Sequence, residues 1–196
     1  MRVLIVKLSS LGDVVHAMPV VHDILQARPQ ARIDWVVEPG FAPLVRRVDG
    51  IADVIECALR QWSRQWWSGQ TRAQWRVFRE RLGRERYDAV LDLQGLTKSA
   101  LITRLANVAP SGKRYGLANR TDGASHEPPA RWLVDRPIRI EPHTHALDRS
   151  RLLAARALHY ALRGAPVFGL RRGELPRSAT LVFVHGTSRD DKLWPE

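Results

Sequence analysis

MRVLIVKLSSLGDVVHAMP, residues 1–19, decides how the rest of the chain is read. Residues 2–7, RVLIVK, form a nearly unbroken apolar run rich in β-branched side chains. That is the pattern of a strand buried on both faces of a parallel sheet. A small polar turn follows, and from Asp13 the apolar residues Val14, Val15, Met18, Val21 and Leu25 fall near helical spacing over 13–27. Pro19 is expected to kink that helix, because proline removes a backbone donor and clashes with the preceding turn. A buried strand feeding a helix through a short turn is the opening unit of an open α/β sheet, whose ligands gather beyond the carboxyl ends of the strands. Ser9, Ser10 and Gly12 stand where backbone N–H groups can face such a ligand. The turn lacks the G-x-G-x-x-G of dinucleotide sites and the G-K-[ST] of a P-loop. It offers a carboxylate instead, which would repel a phosphate held there. Asp13 either caps the helix, Asp being a favoured N-cap, or takes a proton from a neutral hydroxyl.

The same alternation continues along the chain. RIDWVV (32–37), IADVIE (51–56), DAVLDL (88–93) and KRYGL (113–117) read as further strands. FAPLVRRV (41–48), TRAQWRVFRERLGRER (71–86), the segment to about Asn107 and 143–162 read as helices, and 57–70 and 118–131 as irregular. Strands alternating with helices predict a doubly wound, mostly parallel α/β sheet, a Rossmann-like fold. GAPVFGLRRGELPRSA (164–179) has the composition of a linker, and TLVFVHG (180–186) starts a fresh strand. The expected organisation is a Rossmann-like domain over 1–165, a linker over 166–179 and the start of a second domain over 180–196. On this reading the chain is a fragment that stops inside that second domain.

Composition narrows the classes of function. The hydrophobic share of 44% is enough for a true core, and no apolar run reaches the length of about 18 residues needed to span a bilayer. The start does not read as a signal peptide. One cysteine, Cys57, excludes an intrachain disulfide and suits a reducing cytoplasm. Lys and Arg total 31 against 20 for Asp and Glu, a formal charge of +11. Such a field attracts nucleic acid, an anionic membrane surface or phosphorylated small molecules, although an arginine-rich composition also follows from a GC-rich genome.

Three further stretches carry chemistry. DLQGLTKSA (92–100) ends a strand as residues 7–13 do, and Lys98 is either a solvated helix-start lysine or a contact for an anion. RQWSRQWWS (60–68) interleaves Arg60 and Arg64 with Trp62, Trp66 and Trp67. Arginine forks hold carboxylates and phosphates bidentately, tryptophans favour membrane interfaces, and such interleaving also occurs in single-strand nucleic-acid binders. The bland alternative is a loop whose tryptophans pack on the core. HGTSRDDKLWPE (185–196) offers the hydroxyls of Thr187 and Ser188 and the charge of Lys192, a set suited to a diphosphate at a helix N-terminus. His143 and His145 are the only close histidine pair, so no zinc-ligand spacing appears and no metal is expected. Neither G-x-S-x-G nor a Cys–His pair for nucleophilic catalysis is present.

Taken together, MRVLIVKLSSLGDVVHAMP, WVVEPGFA (35–42), YDAVLDLQGLTKSA (87–100) and HGTSRDDKLWPE resemble glycosyltransferase family 9, the ADP-heptose-dependent heptosyltransferases. The resemblance implies a GT-B fold of two Rossmann-like domains, the first binding acceptor and the second ADP-heptose. It implies inverting, metal-independent heptose transfer to Kdo of the lipopolysaccharide inner core, with no cofactor, at the cytoplasmic face of the inner membrane. On it, Asp13 matches the catalytic base. Ser10, Arg60, Arg64, Lys98 and Arg120 match acceptor-side positions, and Thr187, Ser188 and Lys192 match donor diphosphate positions. The partners implied are Kdo-lipid A, ADP-heptose and the anionic membrane surface, with no nucleic acid. A fragment without the donor domain is expected to be inactive. Two other readings stay open: a sister heptosyltransferase acting on a later core sugar, and a non-catalytic basic module that binds nucleic acid. Departures fall on the acceptor side. His126 stands where the family's loop carries an arginine, and Gln61 and Ser63 replace basic residues.

Overall fold

The computed structural model describes residues 1–122 and 126–171. Six strands form one sheet: β1 (Arg2–Val6), β2 (Arg32–Val37), β3 (Ile51–Glu56), β4 (Tyr87–Asp92), β5 (Val108–Leu117) and β6 (Arg136–Ile138). Their spatial order is β3-β2-β1-β4-β5-β6, and every pairing is parallel. This is the Rossmann order, in which the chain reverses its direction of winding between β1 and β4. The α/β reading therefore holds. Five of the strands stand where sequence places them; β6 falls in a stretch, 132–142, that no pattern marks.

The alternation of side chains across β1 explains why it is apolar throughout. Val3 and Ile5 point to one face, where they join Val14, Met18, Val21 and Ile24 with Leu153 and Ala157. These come from α1 (Leu11–Ala17), α2 (Pro19–Ala27) and α7 (Ala146–Leu158). The short α3 (Ala42–Val45) adds Ala42 and Val45 to the same face. Leu4 and Val6 point to the other face, against Trp62, Phe78, Leu82 and Ile102. Those belong to α4 (Leu59–Arg64), α5 (Gly69–Gly83) and α6 (Thr97–Leu105). All four β1 side chains are fully buried, as a strand covered by helices on both faces requires.

Several local expectations change. Residues 13–27 are two helices, not one kinked helix: α1 ends at Ala17, and Pro19 is the first residue of α2, where its missing N–H costs nothing. The stretch 57–70, expected to be irregular, contains α4, folded because Trp62 buries its ring against Phe78 and Trp75 and donates Nε1–H to Gln74 Oε1 at 3.0 Å. β5 is longer than expected because its pairing with β4 skips from Val108 to Lys113. The bulge requires glycine at 112, where a Cβ would stand 2.5 Å from the Tyr87 carbonyl oxygen. α7 is shorter than 143–162: it starts after His145, whose Nδ1 accepts Leu147 N–H, and it stops at His159 in the left-handed conformation (φ 54°). The linker from 172 onward and the strand expected at 180–186 lie outside the described residues.

Two buried arginines lock helices in place. Arg151 of α7 holds Asp23 of α2 through Nε and Nη2, at 2.8 and 3.0 Å, with both side chains almost wholly buried. Arg114 of β5 donates to the carbonyls of Thr103 and Ala106, satisfying the open C-terminal end of α6. No helix among the described residues is long and apolar enough to cross a membrane.

Candidate functional site

The reversal between β1 and β4 leaves a crevice beyond their carboxyl ends, and the turns that follow these strands build it. Gln94, just past β4, accepts the backbone N–H groups of Leu8 and Ser9 with its Oε1, at 3.1 and 3.3 Å. Gln94 and Gly95 in turn donate their own N–H groups to Asp92 Oδ1, and Ser99 donates to Oδ2. Gly95 has φ +78°, a left-handed turn that a side chain would strain. Burial pushes the Asp92 carboxyl up to about 6, against the pull of those hydrogen bonds and of Lys7. The two strand-end turns are thus one hydrogen-bonded unit.

Asp13 stands on this unit. Ser10, not Asp13, is the N-cap of α1; Asp13 is the third helical residue. Its Oδ2 accepts the Ser10 N–H at 3.1 Å and the Ser10 hydroxyl at 2.9 Å, the reach-back arrangement of a capping box. The capping and functional readings are therefore compatible: one oxygen caps, and the other, Oδ1, faces Lys7 Nζ at 3.5 Å. The carboxylate is 36% exposed and open to solvent. Partial burial pushes its pKa up, but the Lys7 ammonium and the Ser10 hydrogen bonds outweigh that and hold it below the ordinary aspartate value. Asp13 is an ionised, accessible carboxylate at neutral pH.

Basic residues surround the mouth. Arg60 of α4 reaches over the β1 turn, donating to Ser9 Oγ at 3.1 Å and pairing with Glu38 Oε1 at 3.2 Å. Glu38 ends β2. Burial raises its pKa, while the charges of Arg60 and Lys98 pull it down. Lys98 lies exposed in the first turn of α6, so its field reaches the same spot. The structure therefore brings Ser10, Asp13, Arg60 and Lys98 to one crevice. Arg64 closes α4 one turn beyond Arg60, and Arg120 follows β5 along the same carboxyl edge. Both are exposed, and neither forms an ion pair with a described residue. Thr187, Ser188 and Lys192 lie outside the described residues.

The side chains that sequence reasoning missed are Lys7, Glu38, Asp92, Gln94 and Arg149. Only Lys7 left a signal, a lone charge closing an apolar strand. Arg149 is a buried cation on the inner face of α7, indistinguishable in sequence from buried Arg151 and exposed Arg156 on the same helix. The tryptophans divide: Trp62 is core, whereas Trp66 and Trp67 stay 70% and 64% exposed beside it. His143 pairs with Asp122 and His145 caps α7, so the histidine pair is used locally. Cys57 is buried, its thiol pushed up to about 12 by burial, and is chemically quiet.

With that geometry described, three comparisons bear on it. The family model described as glycosyltransferase family 9 (heptosyltransferase) matches residues 75–196. Lipopolysaccharide heptosyltransferase 1 of Escherichia coli K12 is 42% identical over 203 residues, which take in all of this chain and 61% of that protein. The same-named protein of Pseudomonas aeruginosa PAO1 is 40% identical over all of this chain and 55% of its own length. The solved structure of E. coli heptosyltransferase WaaC with ADP superposes with a TM-score of 0.89 at 40% identity, over all of this chain and 61% of that one. The chain thus spans about three fifths of the length of these relatives.

Proposed function

The chain belongs to glycosyltransferase family 9, and from that premise we propose that it carries the acceptor-binding half of a lipopolysaccharide heptosyltransferase of the first type. The reaction is transfer of heptose from ADP-heptose to a Kdo hydroxyl of the lipopolysaccharide inner core, with inversion. The Kdo O–H bond breaks, an O–C bond forms at the heptose anomeric carbon, and the bond from that carbon to the diphosphate breaks as ADP leaves. Asp13 receives the hydroxyl proton. The observation that carries this reading is the Asp13 carboxylate itself: ionised, accessible and fixed by Ser10 at the one place in the sheet where ligands gather. A site for phosphate would offer bare backbone N–H groups there; this one has spent the Ser10 N–H on an acid.

Arg60, Arg64, Lys98 and Arg120 supply positive charge for an acceptor bearing Kdo carboxylates and lipid A phosphates. Thr187, Ser188 and Lys192 are assigned to the departing diphosphate, where preorganised donors stabilise developing charge. On this reading those groups carry the charge of the leaving diphosphate, and no metal is assigned a role. The protein is placed at the cytoplasmic face of the inner membrane, with Trp66 and Trp67 exposed beside Arg60 and Arg64, a pairing suited to an anionic lipid surface.

The direct test gives the intact protein ADP-heptose with Kdo-lipid A, or with heptosyl-Kdo-lipid A, and follows ADP release and the mass gain of the lipid. Turnover on the first acceptor, unchanged by EDTA, is expected. Turnover only on the second would make it the sister enzyme, and dependence on added metal would remove the metal-free assignment. On the acceptor side, Arg60→Ala combined with Lys98→Ala is expected to raise the acceptor KM by about 10- to 100-fold with kcat little changed, because charged contacts made in ground and transition state alike act on binding. A loss confined to kcat would place these cations elsewhere.

A further inference from the structure

Lys7 is 2% exposed, yet it is an ammonium in the floor of the crevice. Its Nζ has two polar neighbours among the described residues, the Leu93 carbonyl at 3.1 Å and Asp13 Oδ1 at 3.5 Å. Arg149 of α7 is 3% exposed and reaches the Thr121 hydroxyl at 3.0 Å, while its Nε finds no partner among the described residues. The fields of both cations converge on Asp13, and each makes the other harder to bury. Two buried positive charges, with Asp92 a fully buried carboxylate beside Lys7, are a poor way to stabilise a fold, since apolar residues of the same shape usually do as well or better. Neither side chain is open to a substrate. Their common feature is the carboxylate above them.

We propose that Lys7, backed by Arg149, is the positioning residue for Asp13: the buried ammonium beneath the carboxylate holds Oδ1 in place and keeps the group charged. This rests on Asp13 being the base. Oδ2 already accepts two hydrogen bonds from Ser10. Oδ1 has only the 3.5 Å contact with Lys7, longer than a strong charge-assisted bond, so it keeps lone-pair capacity for an incoming proton. A carboxylate flanked by cations is a weak base, but it is ionised at every working pH. Once protonated it returns its proton to solvent through its exposed side and is reset for the next turnover. Of the other titratable side chains on these elements, Asp92 at the end of β4 draws on the same lysine, the His16–His145 ring pair lies between α1 and α7, and Arg151 of α7 pairs with Asp148 and with Asp23.

The test is the pH profile of kcat in the intact protein for Lys7→Met, Lys7→Arg and Arg149→Met, beside carbon-13 titration of the Asp13 carboxyl. Removing the ammonium leaves partial burial, which raises the Asp13 pKa, less opposed. In Lys7→Met both the acid limb and the carboxyl titration are therefore expected to move up by about one pH unit or more, a tenfold change in acid constant. The acceptor KM should stay within about twofold of wild type, and Lys7→Arg should hold both near the wild-type position. Equal loss of kcat at all pH values, with the Asp13 titration unmoved, would overturn the proposal. So would a defect confined to acceptor KM. If Lys7→Met does not fold, Arg149→Met reads the same field, and an unmoved titration there overturns it equally. A shifted Asp13 titration with an unshifted activity profile would uphold the electrostatic coupling while removing Asp13 from the base role.

Discussion

Asp13→Asn is expected to lower kcat by on the order of 10³-fold while leaving ADP-heptose affinity within about twofold of wild type. The substitution preserves shape, and an amide oxygen can still accept from Ser10, so α1 keeps its cap. What it removes is the ionised, solvent-open carboxylate held by Ser10, and an amide cannot take the hydroxyl proton. Donor affinity should survive because the residues assigned to the diphosphate sit on a different segment, 187–192. Single-turnover assays and ADP-heptose titration of the same preparation separate the two quantities. Residual activity above a tenth of wild type would dismiss Asp13 as the base. Loss of donor binding with kcat would instead mean that the carboxylate organises the whole crevice.

The largest effect on stability is expected at Asp23→Ala, with a loss of about 3–5 kcal/mol. Arg151 holds both Asp23 oxygens with nearly complete burial on both sides, and it is the polar tie between α7 and α2. Without its partner, the guanidinium is left charged and buried. The paired change Asp23→Leu with Arg151→Met should recover most of the loss, because it removes both charges and refills their space. Urea unfolding of the two variants against wild type gives the comparison directly. If the double variant is as unstable as the single, the pair acts through helix orientation and not through its desolvation.

The fold was legible where hydrophobic period and strand length agreed. β1 and β4 are apolar because they are central, and their neighbours alternate with amphipathic helices. β6 was not legible: three residues containing a proline, at the sheet edge, leave too short a pattern to mark a strand. α4 was hidden for another reason. Its six residues carry two arginines and one buried indole, so its helicity comes from Trp62 packing and not from local preference. Within the site, Asp13, Ser10 and Lys98 could be named because strand-end turns announce themselves, and Arg60 because arginines interleave with tryptophans over 60–68. Lys7 left only the mark of a lone charge closing an apolar strand, and Arg149 none, because burial of a cation is a property of the surrounding fold.

The sheet separates two inheritances. Asp13 and Arg149 hang from α1 and α7, on one core, with Lys7 just past the end of β1; Arg60 and Lys98 hang from α4 and α6, on the other. The two sides are joined at the strand-end turns, where Arg60 donates to Ser9 Oγ and Gln94 accepts from Leu8 and Ser9. Substitutions on α4 that spare those turns leave the contacts of Asp13 in place, and Gln61 and Ser63, the departures from the family's basic loop, lie on α4. Joined through its turns in this way, the sheet lets one helix face vary while the turn that fixes Asp13 stays as it is.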